Sequence, residues 1–205
     1  MQDRALKTRI KILQTSLEEF SNKGFHGTRM DEIANKAGVN KQRIYANFQN
    51  KENLFAAVLK GCYEKIILIE EPLNDLLEED IPYLAEFILK QYVNFHLTHP
   101  EFWRLLAWEN LSGGVHLEKL SNLRSDSMVH IKELYVKGQL LGHFKKDVSF
   151  NTFIYTIIAL SYFMFSNQHT MAKMFELDLA NQDFQSKLIS EALKMIAMPE
   201  KKKGL

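Results

Sequence analysis

The residues in this sequence best equipped for chemistry are long hydrogen-bond donors. Lys41, Gln42, Arg43 and Asn47 crowd one short stretch around the apolar Ile44. On a helix that buries Ile44, these four point outward, where they can bond to base edges or to phosphate oxygens. Arg pairs bidentately with guanine and Gln with adenine, so Gln42 and Arg43 are the expected base readers. Any of the four could also serve simply as a solvated polar face.

No comparable set supports catalysis, and the chain is not expected to be an enzyme. Gly113-Gly114 reads as a helix stop and lacks the form of a nucleotide cradle. His96 and His99 are three apart, but no third ligand follows and His99 precedes Pro100, so neither a metal nor a cofactor is expected. A single cysteine, Cys62, excludes a disulfide framework and a Cys-based zinc site, and it points to the reducing cytoplasm. Its place on an apolar helix face makes it filler.

Charge supports the donor reading. The 205 residues carry a formal net charge of only +1. Residues 1–55 nevertheless hold ten basic and six acidic groups, and the remainder holds 16 basic and 19 acidic. A basic head on a mildly acidic body suggests a polyanion partner.

Helices must position those donors. Leu6, Ile10, Leu13, Leu17 and Phe20 step by 4, 3, 4, 3 and predict one buried face of a first helix, ended by Gly24. Thr28, three before Asp31, predicts the cap of a second, with Met30, Ile33, Ala34 and Ala37 inward. Gly38 stops it and Asn40 caps a short third helix from Lys41 to about Phe48. Asn50 caps a fourth, with Leu54, Phe55, Val58, Leu59 and Cys62 on its apolar side. Two short helices joined by a tight glycine turn make a helix-turn-helix, its small core filled by Ile33, Val39 and Ile44.

Residues 9–55 resemble the DNA-binding domain of the tetracycline-repressor (TetR) family. The resemblance rests on Phe20-x-x-x-Gly24-Phe25, Thr28, Ile33-Ala34-x-x-Ala37-Gly38-Val39, Ile44-Tyr45, Phe48 and Lys51-Glu52-x-Leu54-Phe55. It implies an all-α dimeric regulator: residues 1–55 the helix-turn-helix domain, residues 56–205 a helical domain for ligand binding and dimerisation. It also implies roles by position. Tyr45 matches a tyrosine that the family sets against a phosphate. Lys51 matches the lysine opening the fourth helix, and Thr28 and Arg29 open the second beside the DNA backbone. The family's usual pattern has Ser or Thr at Arg29, Thr at Arg43 and His-Tyr at Ala46-Asn47, so this third helix is richer in long donors.

The body reads as five more helices, about nine in all. Leu84, Ile88, Tyr92 and Phe95 mark the fifth, and Pro100 opens a sixth that Gly113-Gly114 ends. Leu117, Leu120, Ile131 and Leu134 predict a long seventh, stopping near Gly138 to Gly142. Asp147 or Ser149 caps an eighth running to about Phe175. Phe184, Leu188, Ala192 and Met195 mark the last, and Lys201-Lys202-Lys203 reads as a frayed basic tail. The eighth is apolar nearly all round, but its apolar part, Phe153 to Phe165, is 13 residues, short of the ~20 that a membrane span needs. Such a helix must be covered on several sides. A four-helix bundle made by the last two helices of two subunits covers it, and two heads then read a palindromic DNA site.

The middle helices carry aromatics with polar handles: Tyr92, His96, Phe102, Trp103, Trp108, Tyr155 and Tyr162. Aromatic walls with few polar groups suit a small apolar or aromatic molecule, and equally an ordinary core. The resemblance implies an effector in this region, and hence a repressor released from its operator by that molecule. The alternative is a DNA-binding protein of the same fold acting through a protein partner instead.

Overall fold

A computed structural model describes residues 2–120, 127–178 and 181–197. Among these the chain is helical without strands. The helices are α1 (Gln2–Gly27), α2 (Met30–Ala37), α3 (Lys41–Phe48), α4 (Lys51–Glu70), α5 (Leu84–Thr98), α6 (Pro100–Leu111), α7 (Ser127–Leu141), α8 (Phe150–Ser166), α9 (Gln168–Phe175) and α10 (Gln182–Ile196). Short 3₁₀ turns occupy Glu71–Asp75, Glu78–Tyr83 and Leu117–Lys119. No helix among the described residues is long and apolar enough to cross a membrane.

The chain divides into two compact units, Met1–Ile66 with His99–Leu123 and Ile67–Thr98 with Arg124–Leu205. Compactness therefore does not follow a single cut after residue 55, because α6 packs along α1 and belongs with the head.

In the first unit, α1 differs from its expected face. Of that face Leu6 and Ile10 are 57% and 44% exposed, Leu13 and Leu17 are half-buried and Phe20 is buried, while Ile12, Ser16 and Glu19 are buried beside it. The buried stripe is interrupted by polar residues that are satisfied locally. Ser16 Oγ donates to the Ile12 carbonyl at 2.7 Å, and Glu19 is held by Lys36 at 2.5 Å and Lys23 at 2.8 Å. Those lysines keep the Glu19 carboxyl below its ordinary pKa. Gly24 interrupts the helix at φ 70°, and the Trp108 ring of α6 lies where a Cβ would stand, 2.8 Å away. Ile33, Ala37, Ile44, Phe48, Leu54 and Phe55 complete the core, with Val39 only half-buried.

In the second unit, the expected α5 face is buried as Leu84, Ile88, Tyr92 and Phe95. Tyr135 of α7 and Phe153 of α8 stack at 4.3 Å, with Phe144 against both. Two expectations about helix bounds in the body fail. Leu117 and Leu120 are not in a long seventh helix: Leu117 sits in a 3₁₀ turn and Leu120 is extended, with α7 beginning at Ser127. The eighth helix does not reach Phe175, because the backbone leaves helical geometry at Asn167 (φ −117°, ψ 12°) and a separate α9 follows. The described chain thus has ten α-helices. The basic tail lies outside the described residues.

Candidate nucleic-acid interface

Backbone geometry fixes how α3 is presented. α2 ends in a left-handed residue, Gly38 (φ 62°, ψ 37°), with Val39 N–H donating to the Ala34 carbonyl at 3.0 Å and Gly38 N–H to Asn35 at 3.1 Å. This double bond pattern is the Schellman stop, which favours glycine at that position. The chain then extends through Asn40, whose Oδ1 accepts from Arg43 N–H at 2.9 Å and starts α3. Ile44 and Phe48 are buried beneath α3, leaving Gln42, Arg43, Tyr45 and Ala46 exposed on its outer side.

The ion pairs of the head sort its cations. Lys41 binds Asp31 at 2.9 Å, which raises its pKa, and Lys23 binds Glu32 at 2.8 Å. With Lys36 on Glu19, three lysines are turned onto the head's own carboxylates. Arg29 and Arg43 make no ion pair among the described residues and are exposed.

The expected contact residues do not all lie on this surface. Thr28 is 1% exposed, its Oγ1 within 2.8 Å of the Gly24 carbonyl and 3.1 Å of the Glu19 carbonyl. Its hydroxyl is an internal tie and does not cap α2, whose N-cap is Arg29, with no side-chain cap bond. Asn47 is turned back on its own helix, Nδ2 donating to the Arg43 carbonyl at 2.7 Å. Arg9 donates to the Asn47 carbonyl at 3.2 Å and lies over the Phe48 ring, bracing the end of α3. Lys51 opens α4, where Asn50 Oδ1 accepts from Asn53 N–H at 2.7 Å. Its Nζ sits 4.6 Å above the Phe25 ring, and partial burial lowers its pKa.

The aromatic residues expected around an effector fall into separate groups. Tyr92, His96 and Tyr162 belong to the second unit. The Tyr92 hydroxyl donates to the buried Glu70 carboxylate, and the His96 ring lies 6.0 Å from Tyr162 and 5.8 Å from Phe165. Burial pushes His96 down to about 4. Phe102, Trp103 and Trp108 lie on α6 in the first unit, Phe102 edge-on to Tyr63 and Trp108 filling the place left by Gly24. Tyr155 is exposed on α8. Cys62 is buried and its thiol pushed up to about 12, as befits filler. One pair escaped sequence reading. Glu109 and His116 are buried and bonded at 2.9 Å, a pairing whose only sequence trace is an acid closing a helix before Gly113-Gly114 and a histidine.

Known proteins resemble this chain in sequence and in fold. A family model described as bacterial regulatory proteins, tetR family, matches residues 12–58, and one described as the tetracyclin repressor-like C-terminal domain matches residues 85–196. The HTH-type transcriptional repressor NicS of Pseudomonas putida is 35% identical over 182 residues, covering 86% of this chain and 84% of that protein. The HTH-type transcriptional repressor SCO4008 of Streptomyces coelicolor is 38% identical over 108 residues, 52% of each chain. A crystal structure of a regulator from Marinobacter aquaeolei superposes with a TM-score of 0.64 at 17% identity, covering 96% of this chain and 99% of that one, a likeness of fold.

Proposed function

The chain belongs to the tetR family of bacterial regulatory proteins, and from that premise we propose a dimeric transcriptional repressor that binds a palindromic operator in the cytoplasm and is released by a small molecule. The outer side of α3 carries this reading. Gln42 and Arg43 stand exposed on a short helix capped at its start and buried beneath. Arg43 has no carboxylate of its own to satisfy, so it meets guanine without first breaking an ion pair. Arg29, Tyr45 and Lys51 take phosphates around it, and Thr28 and Asn47 hold the surface in shape. In this reading, residues 1–55 are the DNA-reading domain and residues 56–205 the regulatory and dimerisation domain.

Dimerisation through α8 and α10 follows from what the single chain leaves uncovered. None of the described residues of α10 is buried, although Phe184, Leu188, Ile189, Ala192, Leu193 and Ile196 make a broad apolar face. α8 buries Phe153, Ile157, Ser161, Met164 and Phe165 but leaves Tyr155 and Phe163 exposed. A two-fold partner covers both faces, and a pair of chains brings two α3 helices to one palindromic site.

The effector is an apolar or aromatic molecule whose polar contacts come from Tyr92, His96 and Tyr162. His96, uncharged at neutral pH, offers a neutral donor or acceptor rather than a cation. Any molecule that weakens operator binding must itself bind more weakly when operator is present, by the same factor.

The test is Arg43→Ala on operator and on unrelated duplexes. The specific site should lose about 1–3 kcal/mol, with relaxed preference at one base pair per half-site. An equal loss on every sequence would move Arg43 to a phosphate and leave base reading without its main residue.

A further inference from the structure

We infer that Glu109 and His116, both outside the helix-turn-helix, are positioning residues for Lys51, holding its ammonium ready for a phosphate. The inference rests on the DNA-binding reading above. Glu109 lies in the last turn of α6 and is 1% exposed. Its carboxylate accepts three bonds: from His116 N–H at 2.6 Å, His116 Nδ1 at 2.9 Å and Leu117 N–H at 3.3 Å. Gly113 and Gly114, both at positive φ, reverse the chain so that His116 returns to the helix it has just left. With both its backbone and its ring nitrogen bound to one buried acid, the imidazole has a fixed plane.

That plane lies against the head. The His116 ring is 4.6 Å from Phe25 and 4.6 Å from Phe55, which are themselves 5.3 Å apart. Phe25 is only half-buried and stands just past the kink at Gly24, so the long part of α1 before the kink does not fix its direction. Its place depends on the rings around it: Phe20, Phe55 and His116. Lys51 Nζ in turn sits on Phe25. Lysine is a flexible side chain, and ordering it before DNA arrives removes a cost that binding would otherwise carry. Glu109 therefore acts on Lys51 through two rings, with no DNA contact of its own.

The test is binding of a fluorescein-labelled, random-sequence DNA duplex across a salt series, read by anisotropy. Proteins compared are wild type, Lys51→Ala, His116→Ala, Glu109→Gln, and each of the latter two combined with Lys51→Ala. Lys51→Ala should lower the salt slope by about one per subunit. His116→Ala and Glu109→Gln should each weaken binding about two- to fivefold per subunit, the worth of an exposed cation on a ring. Neither should weaken it further once Lys51 is Ala. Losses that persist in full in the Lys51→Ala background would show a merely structural role and overturn the inference. Glu109→Gln is nearly isosteric and keeps the comparison valid if His116→Ala melts the head, as circular dichroism would reveal. A Lys51→Ala protein with the wild-type slope would overturn the inference while leaving DNA binding intact. A wild type with no salt-dependent affinity would instead remove the DNA-binding reading itself.

Discussion

His96 makes the clearest residue-scale prediction. Its ring is buried beside Tyr162 and Phe165, and burial holds it neutral down to about pH 4, against an ordinary value of 6.5. The unfolded chain takes up a proton there near pH 6.5 and the folded chain does not. Stability should therefore be unaffected by this group above pH 6.5 and fall as pH drops from 6.5 toward 4. Melting temperatures measured across that window should drop more steeply in wild type than in His96→Gln. Parallel curves would mean that His96 is protonated as freely in the fold as outside it. At this scale the sequence was legible where a residue's role depends on its own helix. Gln42 and Arg43 face outward because Ile44 and Phe48 must face in. Thr28 was not legible, since its hydroxyl is claimed by carbonyls of α1, and neither was the Glu109–His116 bond, which needs the chain reversal at Gly113-Gly114.

Among the elements, α3 depends most visibly on one bond. It has eight residues, too few to be stable alone, and Asn40 satisfies its Arg43 N–H at 2.9 Å. Asn40→Ala should cost about 1 kcal/mol of stability and weaken operator binding by fraying the end that presents Gln42 and Arg43. A melting temperature unchanged within error would show that tertiary packing alone holds α3. Caps were readable in the sequence at Asn40 and Asn50, and at Ser149 as one of two candidates with Asp147, because each bond is local. Faces were harder. α1 carries two stripes, Leu6-Ile10-Leu13-Leu17-Phe20 and Ile12-Ser16-Glu19, and the more apolar one is fully buried only at Phe20. The buried one includes a glutamate that two lysines make tolerable, a compensation that no hydrophobic pattern displays. The break between α8 and α9 at Asn167 has no glycine or proline to announce it.

For the whole molecule, the proposed repressor works as two chains acting together. A charge placed in the apolar run of α8, Leu160→Glu, should split or unfold the dimer, because an unpaired buried charge is costly. Operator affinity should collapse with it, since one head reads half a site. Sedimentation that found wild type to be a stable monomer would remove the reason for this expectation. The uncovered faces of α8 and α10 were foreseeable from composition, because a helix apolar nearly all round cannot be left to water. That α6 packs with the head was not foreseeable from chain order, since residues 99–123 follow a helix that belongs to the other unit. The most direct test of paired operator reading is to enrich random-sequence duplexes on the wild-type protein and sequence the bound pool. The expected pool carries an inverted repeat whose half-sites lie one helical turn, or a multiple of it, apart, as two-fold heads require. A bound pool with no shared sequence, or with a single unrepeated motif, would contradict it.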